Sequence, residues 1–330
     1  MTTFKEIRGT TIEVVSTDPT NPELGQIWYN SSSGTLKGYR NINAWSSGGS
    51  INTARSNIVG AGANQNSAII FSGVGAPYPN ILASSESYNG TSWTNTPSLN
   101  TGKMQGSGCG STQTAALSFG GIVNPYVTIT AATESWNGSS WTSVNSMNTG
   151  RRGLMGFGIQ TAGVAVGGSQ APGAQLYNTE LWNGSSWTTS PATIGLGNGG
   201  SGTGFGTQTA GLIYGGGPAY NQSQLFNGSA WTTSPATMNT ARSASAGTGS
   251  GTQTAGLIFT GDVPPTNTST ATESWNGTSW TSLSNTSTAR REAGGAGVQT
   301  SALCMGGAAT GFISAGEEWN GLATQTITVS

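Results

Sequence analysis

Histidine is missing altogether from this 330-residue chain, and charge is scarce, with 11 lysines and arginines against 12 aspartates and glutamates. Histidine is the side chain that titrates nearest neutrality, the commonest general base and a frequent metal ligand. Its absence excludes triad hydrolysis and histidine-ligated metal chemistry. The few acids fall mostly at repeated positions, so a glycosidase-type carboxylate pair has no candidate. The expectation is a protein that is not an enzyme and that uses no cofactor and no metal. A net charge of −1 supplies no electrostatic footprint for nucleic acid or for an anionic lipid surface. No apolar run is long enough to span a membrane. The opening residues, Met1 to Arg8, contain no signal-peptide core.

Cysteine is nearly absent too. Cys109 takes a position that is glycine in four other repeats (Gly156, Gly204, Gly249 and Gly295), and Cys304 falls in a different strand of a distant repeat. The expectation is two small buried thiols rather than a disulfide, and the redox compartment stays open.

Glycine, by contrast, is abundant at 53 residues, alongside much Ser, Thr and Asn. Charge-poor, glycine-rich chains are often disordered, but 11 tryptophans and regularly spaced apolar runs argue for a packed fold. The pattern centres on Glu134-Ser-Trp136-Asn137-Gly138-Ser-Ser-Trp141, which reads as a β-hairpin with a two-residue Asn-Gly turn of type I′. Such a turn sets Glu134 opposite Trp141 and leaves the two tryptophans as diagonal neighbours on one face. The unit recurs at Glu86–Trp93, Glu180–Trp187, Gln224–Trp231 and Glu273–Trp280, and a last copy, Glu317–Gly321, lacks its second tryptophan. The second tryptophans stand at 45, 93, 141, 187, 231 and 280, steps of 48, 48, 46, 44 and 49 residues. That period, carrying several short strands, is a propeller signature.

Each repeat reads as four strands. Gly153–Gly158 is a glycine-rich first strand, Gln160-Thr161 a turn, and Ala162–Gly168 an apolar second strand ending in Gly-Gly. A loop then leads to the Glu180–Thr188 hairpin. Five repeats place a cation before the first strand and a Glu before the hairpin aromatic: Arg55 with Glu86, Lys103 with Glu134, Arg151 with Glu180, Arg242 with Glu273, and Arg290 with Glu317. The remaining repeat has Thr193-Ile-Gly-Leu-Gly197 and Gln224 instead, so both charges vanish together. Losing both halves of a buried pair is far cheaper than losing one, which predicts an ion pair inside each of the five. The alternative is two unrelated solvated charges.

On the quoted features (Gly167-Gly168, Glu180, Trp182, Trp187 and Met238-Asn-Thr-Ala-Arg242), residues 50 to 330 resemble the kelch repeat. The short Asn-Gly turn departs from usual kelch, and the compact form is similar to kelch-like repeats of virion proteins from marine tailed phages, cyanophages especially. The resemblance implies an all-β, kelch-like β-propeller of about seven four-stranded blades. In that count Thr11–Val15, Gln26–Asn30, Thr35–Tyr39 and Ala44-Trp45 form the first blade. The alternative is six blades plus an N-terminal arm. Residues 1–25 are then either a first strand or a docking arm, and 26–330 the propeller.

The Gln-Thr and Asn-Gly turns would lie on one face of such a fold, and loops of varying length, rich in proline, on the other. Variable loops on a rigid scaffold carry recognition, and tyrosine gives contact area at low entropy cost. Tyr78, Tyr126, Tyr177 and Tyr220 are therefore the candidate ligand-binding residues, unless they serve only to pack their own loops. The five Asn-Gly-Ser/Thr sequons (Asn89, Asn137, Asn183, Asn227, Asn276) read as turn chemistry rather than as glycosylation sites. The resemblance implies a non-enzymatic virion protein on the phage particle surface. It would be tail- or fibre-associated, with other virion proteins as partners, and would bind a host surface glycan or protein. The alternative is a capsid or tail decoration protein acting only in attachment, and the missing signal-peptide core weakens a third reading, a bacterial adhesin.

Overall fold

The computed structural model describes residues 12–124, 128–171, 173–195, 202–217 and 220–327. They contain strands and no helix. The chain divides into two compact units, one ending at Asn43 and resuming at Asn320, the other running from Ala44 to Trp319.

Within Ala44–Trp319 the repeats become antiparallel sheets. The first consists of Val59–Asn64, Ser67–Phe71, Ser85–Tyr88 and Trp93–Thr96, in sequence order across the sheet. The second consists of Ser107–Thr112, Ala115–Phe119, Thr133–Trp136 and Trp141–Val144. The third to fifth sheets repeat this order, beginning at Met155–Ile159, Gly202–Thr207 and Ala246–Gly247. The sixth pairs Gly294–Val298 with Ser301–Met305, then takes residues 316–319 of the strand Gly316–Thr326, and ends on residues 44–48 of the strand Thr35–Gly48. The first strand of each sheet lies beside that of the next, and the sixth sheet's first strand lies beside that of the first sheet.

Glycine makes those approaches possible: a Cβ on Gly295 would stand 2.3 Å from the carbonyl oxygen of Gly247, and one on Gly60 2.5 Å from that of Gly295. A methyl group cannot occupy that space, so the first strands are glycine-rich of necessity.

The hairpin register differs from the one expected. Trp136 pairs directly with Trp141 and Glu134 with Ser143, leaving a four-residue loop instead of a two-residue turn. The reason is the Asn side chain. Asn137 Oδ1 accepts from the backbone N–H of Ser139 and of Ser140 and from Ser139 Oγ, each at 2.9 Å. This turn mimic holds the loop with positive φ at Gly138 alone. The same bonds form at Asn89, Asn183, Asn227 and Asn276. The Ser or Thr of the sequon is therefore part of the turn itself.

Neighbouring sheets are stitched by a repeated hydrogen bond. In four sheets the indole N–H of the fourth-strand tryptophan donates to a third-strand hydroxyl of the preceding sheet: Trp141 to Ser85, Trp187 to Thr133, Trp231 to Thr179 and Trp280 to Ser223, at 2.9–3.1 Å; in the first sheet Trp93 donates instead to the Gly49 carbonyl at 3.0 Å. Trp45 makes the hydroxyl bond, to Thr272 at 2.9 Å. Its ring lies 5.4 Å from Trp319, as that of Trp141 lies 5.5 Å from Trp136. Trp45 therefore supplies the second tryptophan that the last copy lacks, from the other end of the chain. The four N-terminal pieces do not build an antiparallel sheet of their own, because the place beside Trp319 takes Trp45. Between the sixth and first sheets, Tyr88 donates its hydroxyl to Glu318 Oε1 at 2.5 Å, and Ser301 Oγ donates to Gln65 Oε1 at 3.3 Å.

In the other unit, Glu13–Val15 runs parallel to Ile27–Asn30, which pairs antiparallel with the start of Thr35–Gly48. Trp28 is fully buried, and its indole N–H, Asn30 Nδ2 and Lys37 Nζ all donate to the carboxylate of Asp18. Those bonds, Lys37's first, lower the Asp18 pKa from 3.8 to about 2. A value below that of the unfolded chain means the contribution is complete above the unfolded pKa and is lost as pH falls toward the folded one. Asp18→Asn should therefore destabilise the protein at about pH 5 and much less at about pH 2 by denaturant titration. An equal loss at both values would rule out the charged role.

Both cysteines are free and buried, Cys109 in the second sheet and Cys304 in the sixth, and burial pushes both thiols up to about 12.

Candidate functional site

The charged residues of the five repeats come together in pairs that are almost wholly removed from water. Arg151 Nη2 lies 2.6 Å from Glu180 Oε1, Arg242 Nη2 2.6 Å from Glu273, and Arg290 Nη2 2.7 Å from Glu317. Arg55 meets Glu86 in the same way, and Lys103 Nζ stands 3.2 Å from Glu134. Each carboxylate is also satisfied by the entering loop: Asn148 N–H donates to Glu180 Oε2 at 2.7 Å and Thr149 N–H to Oε1 at 3.2 Å. The Arg151 guanidinium donates in turn to the carbonyls of Gly167 and Asn178. Burial lowers the pKa of Lys103 and of Arg55, Arg151 and Arg242, and the partner carboxylate opposes it in each case. In the fourth sheet Gln224 Oε1 accepts from Gly195 N–H at 3.0 Å, keeping the loop anchor without a charge. These ten residues are scaffold, and none of them lines the two cavities built by the loops that follow the cations.

Two residues beyond each cation the backbone enters the left-handed region, at Asn57, Gln105, Gly153, Ala244 and Glu292. Backbone bonds link these positions between repeats, Gly153 N–H to the Gln105 carbonyl at 2.7 Å and Glu292 N–H to that of Ala244 at 2.8 Å. All five line one cavity of about 140 Å³ between the first strands. Non-glycine residues in this conformation cost free energy and cluster where function constrains the chain.

A second cleft of about 420 Å³ adjoins it and shares Asn57, Gln105 and Glu292. Tyr78 and Phe312 flank it. Tyr78 is 71% exposed, at the tip of a small hairpin, Val74–Gly75 with Asn80–Ile81, that itself pairs with Arg55–Ser56. Phe312 pairs with Ala308, which bridges to Arg291. The same short ladder thus ties each aromatic to the residue beside Asn57 or Glu292. Asn57 Nδ2 and Ser56 Oγ both donate to Glu292 Oε2 at 2.8 Å. Glu292 Oε1 and the Gln105 side-chain amide have no partner among the described residues. Arg291 leans toward Asp262, 3.9 Å away, with both side chains about a third exposed.

Of the four tyrosines singled out in the sequence, Tyr78 lies at this cleft. Tyr177 is 43% exposed, on the loop after the third sheet's second strand, and Tyr220 is half-buried with its backbone paired to Arg242. Neither lines the cleft, and Tyr126 falls outside the described residues. Asn57, Gln105 and Glu292 were missed in the sequence. The signal was a position of changing identity at a fixed offset from the cation that five repeats share. Among the described residues no group of His, Cys, Asp and Glu is placed to hold a metal ion. No protein-family model matches the chain, and no curated protein sequence matches it.

Proposed function

We propose that the six sheets close into a six-bladed β-propeller, and that the protein is a non-enzymatic recognition module of a tailed-phage particle. In this reading it is carried on the tail or fibres and meets the host surface through the cleft beside Tyr78. Six blades, rather than seven, follow if residues 44–48 complete the last blade. The cycle of neighbouring first strands and the Trp45–Thr272 bond support that count. The observation that carries the recognition reading is Tyr78, a large aromatic held out in water on a pinned hairpin, above polar groups without partners. A surface aromatic next to half-exposed polar groups not engaged by the protein's own side chains is what a binding site presents before its ligand arrives. A single carboxylate, Glu292, lines the cleft, so it lacks the second acid that paired acid–base chemistry requires. The virion assignment rests on the similarity of the repeats to phage kelch-like proteins.

Antibody raised against the purified chain and detected with immunogold on tailed-phage particles tests the location. Label at the tail or fibres is the expected result. Label spread over the head would make this a decoration protein, and absence from every particle would remove the virion reading.

A further inference from the structure

We propose that the cleft binds a neutral saccharide, and that Asn57, Gln105 and Glu292 select which one; this rests on the cleft being the recognition site. The lining carries one cation, Arg291, and one anion, Glu292. An anionic ligand would face the carboxylate, and a cationic one the guanidinium, so a ligand without net charge fits best. The Gln105 amide offers both a donor and an acceptor, Glu292 Oε1 offers an acceptor, and Asn57 Oδ1 another, since Asn57 Nδ2 is held by Glu292. Sugar hydroxyls each donate and accept, and adjacent hydroxyls match such a mixed set. The exposed ring of Tyr78 provides a flat apolar face beside the polar groups, as the C–H face of a pyranose requires. A cleft of about 420 Å³ is in the range of small-ligand sites.

The left-handed positions keep their backbone from repeat to repeat while their side chains change, from Gly153 and Ala244 on one side of the cavity to Glu292, Asn57 and Gln105 on the other. The polar members come from three successive sheets, the sixth, first and second. A fixed frame with variable side chains lets the hydroxyl pattern be read without altering the fold.

The test is an array of neutral, sialylated and sulfated oligosaccharides, probed with the fluorescently labelled full chain. Binding confined to neutral glycans is expected, weakened about tenfold by Gln105→Gly, which removes the amide while relaxing a left-handed backbone. Tyr78→Ala should weaken it similarly, Tyr177→Ala should not, and all three should melt as the unmodified chain does. Preference for sialylated or sulfated glycans, or indifference to Gln105→Gly and Tyr78→Ala, would overturn the proposal. So would a blank array. If the array is blank and the labelled chain still adheres to host cells in a Tyr78-dependent way, only the saccharide assignment falls. If adhesion is missing as well, the recognition reading falls with it.

Discussion

Glu180→Ala lowers the unfolding free energy by about 3–5 kcal/mol, because it strands a guanidinium that is fully buried. The Arg151 side chain keeps its bonds to the carbonyls of Gly167 and Asn178, but these do not neutralise it. The loop entering the third sheet also loses the carboxylate that accepts from Asn148 and Thr149. Replacing both partners, as in Arg151→Met with Glu180→Leu, should cost less than Glu180→Ala alone, since no unpaired charge stays buried. The fourth sheet makes the same point within the native chain: Gln224 stands where a Glu would, and holds its loop through Gly195. Guanidinium chloride titration of the three variants provides the comparison. A loss of about 1 kcal/mol or less for Glu180→Ala, as for an exposed pair, would contradict the buried-pair account.

Trp45→Ala is expected to be the second large effect, about 3 kcal/mol, at the lower end for tryptophan truncation because Trp45 is only half-buried. It removes an edge-on contact with Phe259 at 4.9 Å, a tilted contact with Trp319, and the bond to Thr272. Trp45→Phe retains an aromatic ring and loses the indole bond, so its cost should be nearer 1 kcal/mol. The alanine variant bears on recognition as well. Glu292 enters the sixth sheet, and Asn57 leads into the first, so the polar side of the cleft joins the two ends of the repeat array. Under the proposed recognition role of the cleft, loosening the strand at residues 44–48 should weaken ligand binding by the same variant that lowers stability. Thermal melting checks the first effect. Unchanged stability would mean that residues 44–48 do not hold the last sheet.

Much of this organisation was legible in the sequence. Apolar second strands, glycine-rich first strands and the tryptophan period all follow from local pattern. The joint loss of cation and Glu in one repeat pointed to residues that the fold brings within bonding distance. The hairpin register was not legible, because Asn-Gly is the signal of a two-residue turn. Only the reach of Asn137 Oδ1 to two backbone N–H groups shows that the loop is longer. The role of Trp45 was hidden for a different reason: a strand's partner at the far end of the chain leaves no local trace. Of the cleft, Tyr78 stood out as a proline-flanked tyrosine in a variable loop. Asn57, Gln105 and Glu292 did not, since nothing in an Asn, a Gln and a Glu far apart in sequence announces a shared left-handed conformation.

The joining of the two ends of the repeat array places Glu292 beside Asn57. Amide hydrogen exchange of the intact chain tests that joining most directly. If residues 44–48 complete the sixth sheet, their amides exchange as slowly as those of Trp141–Val144, the equivalent strand of the second sheet, and open only with global unfolding. Fast exchange across 44–48, with the other sheets still protected, would contradict the closure and the site built on it.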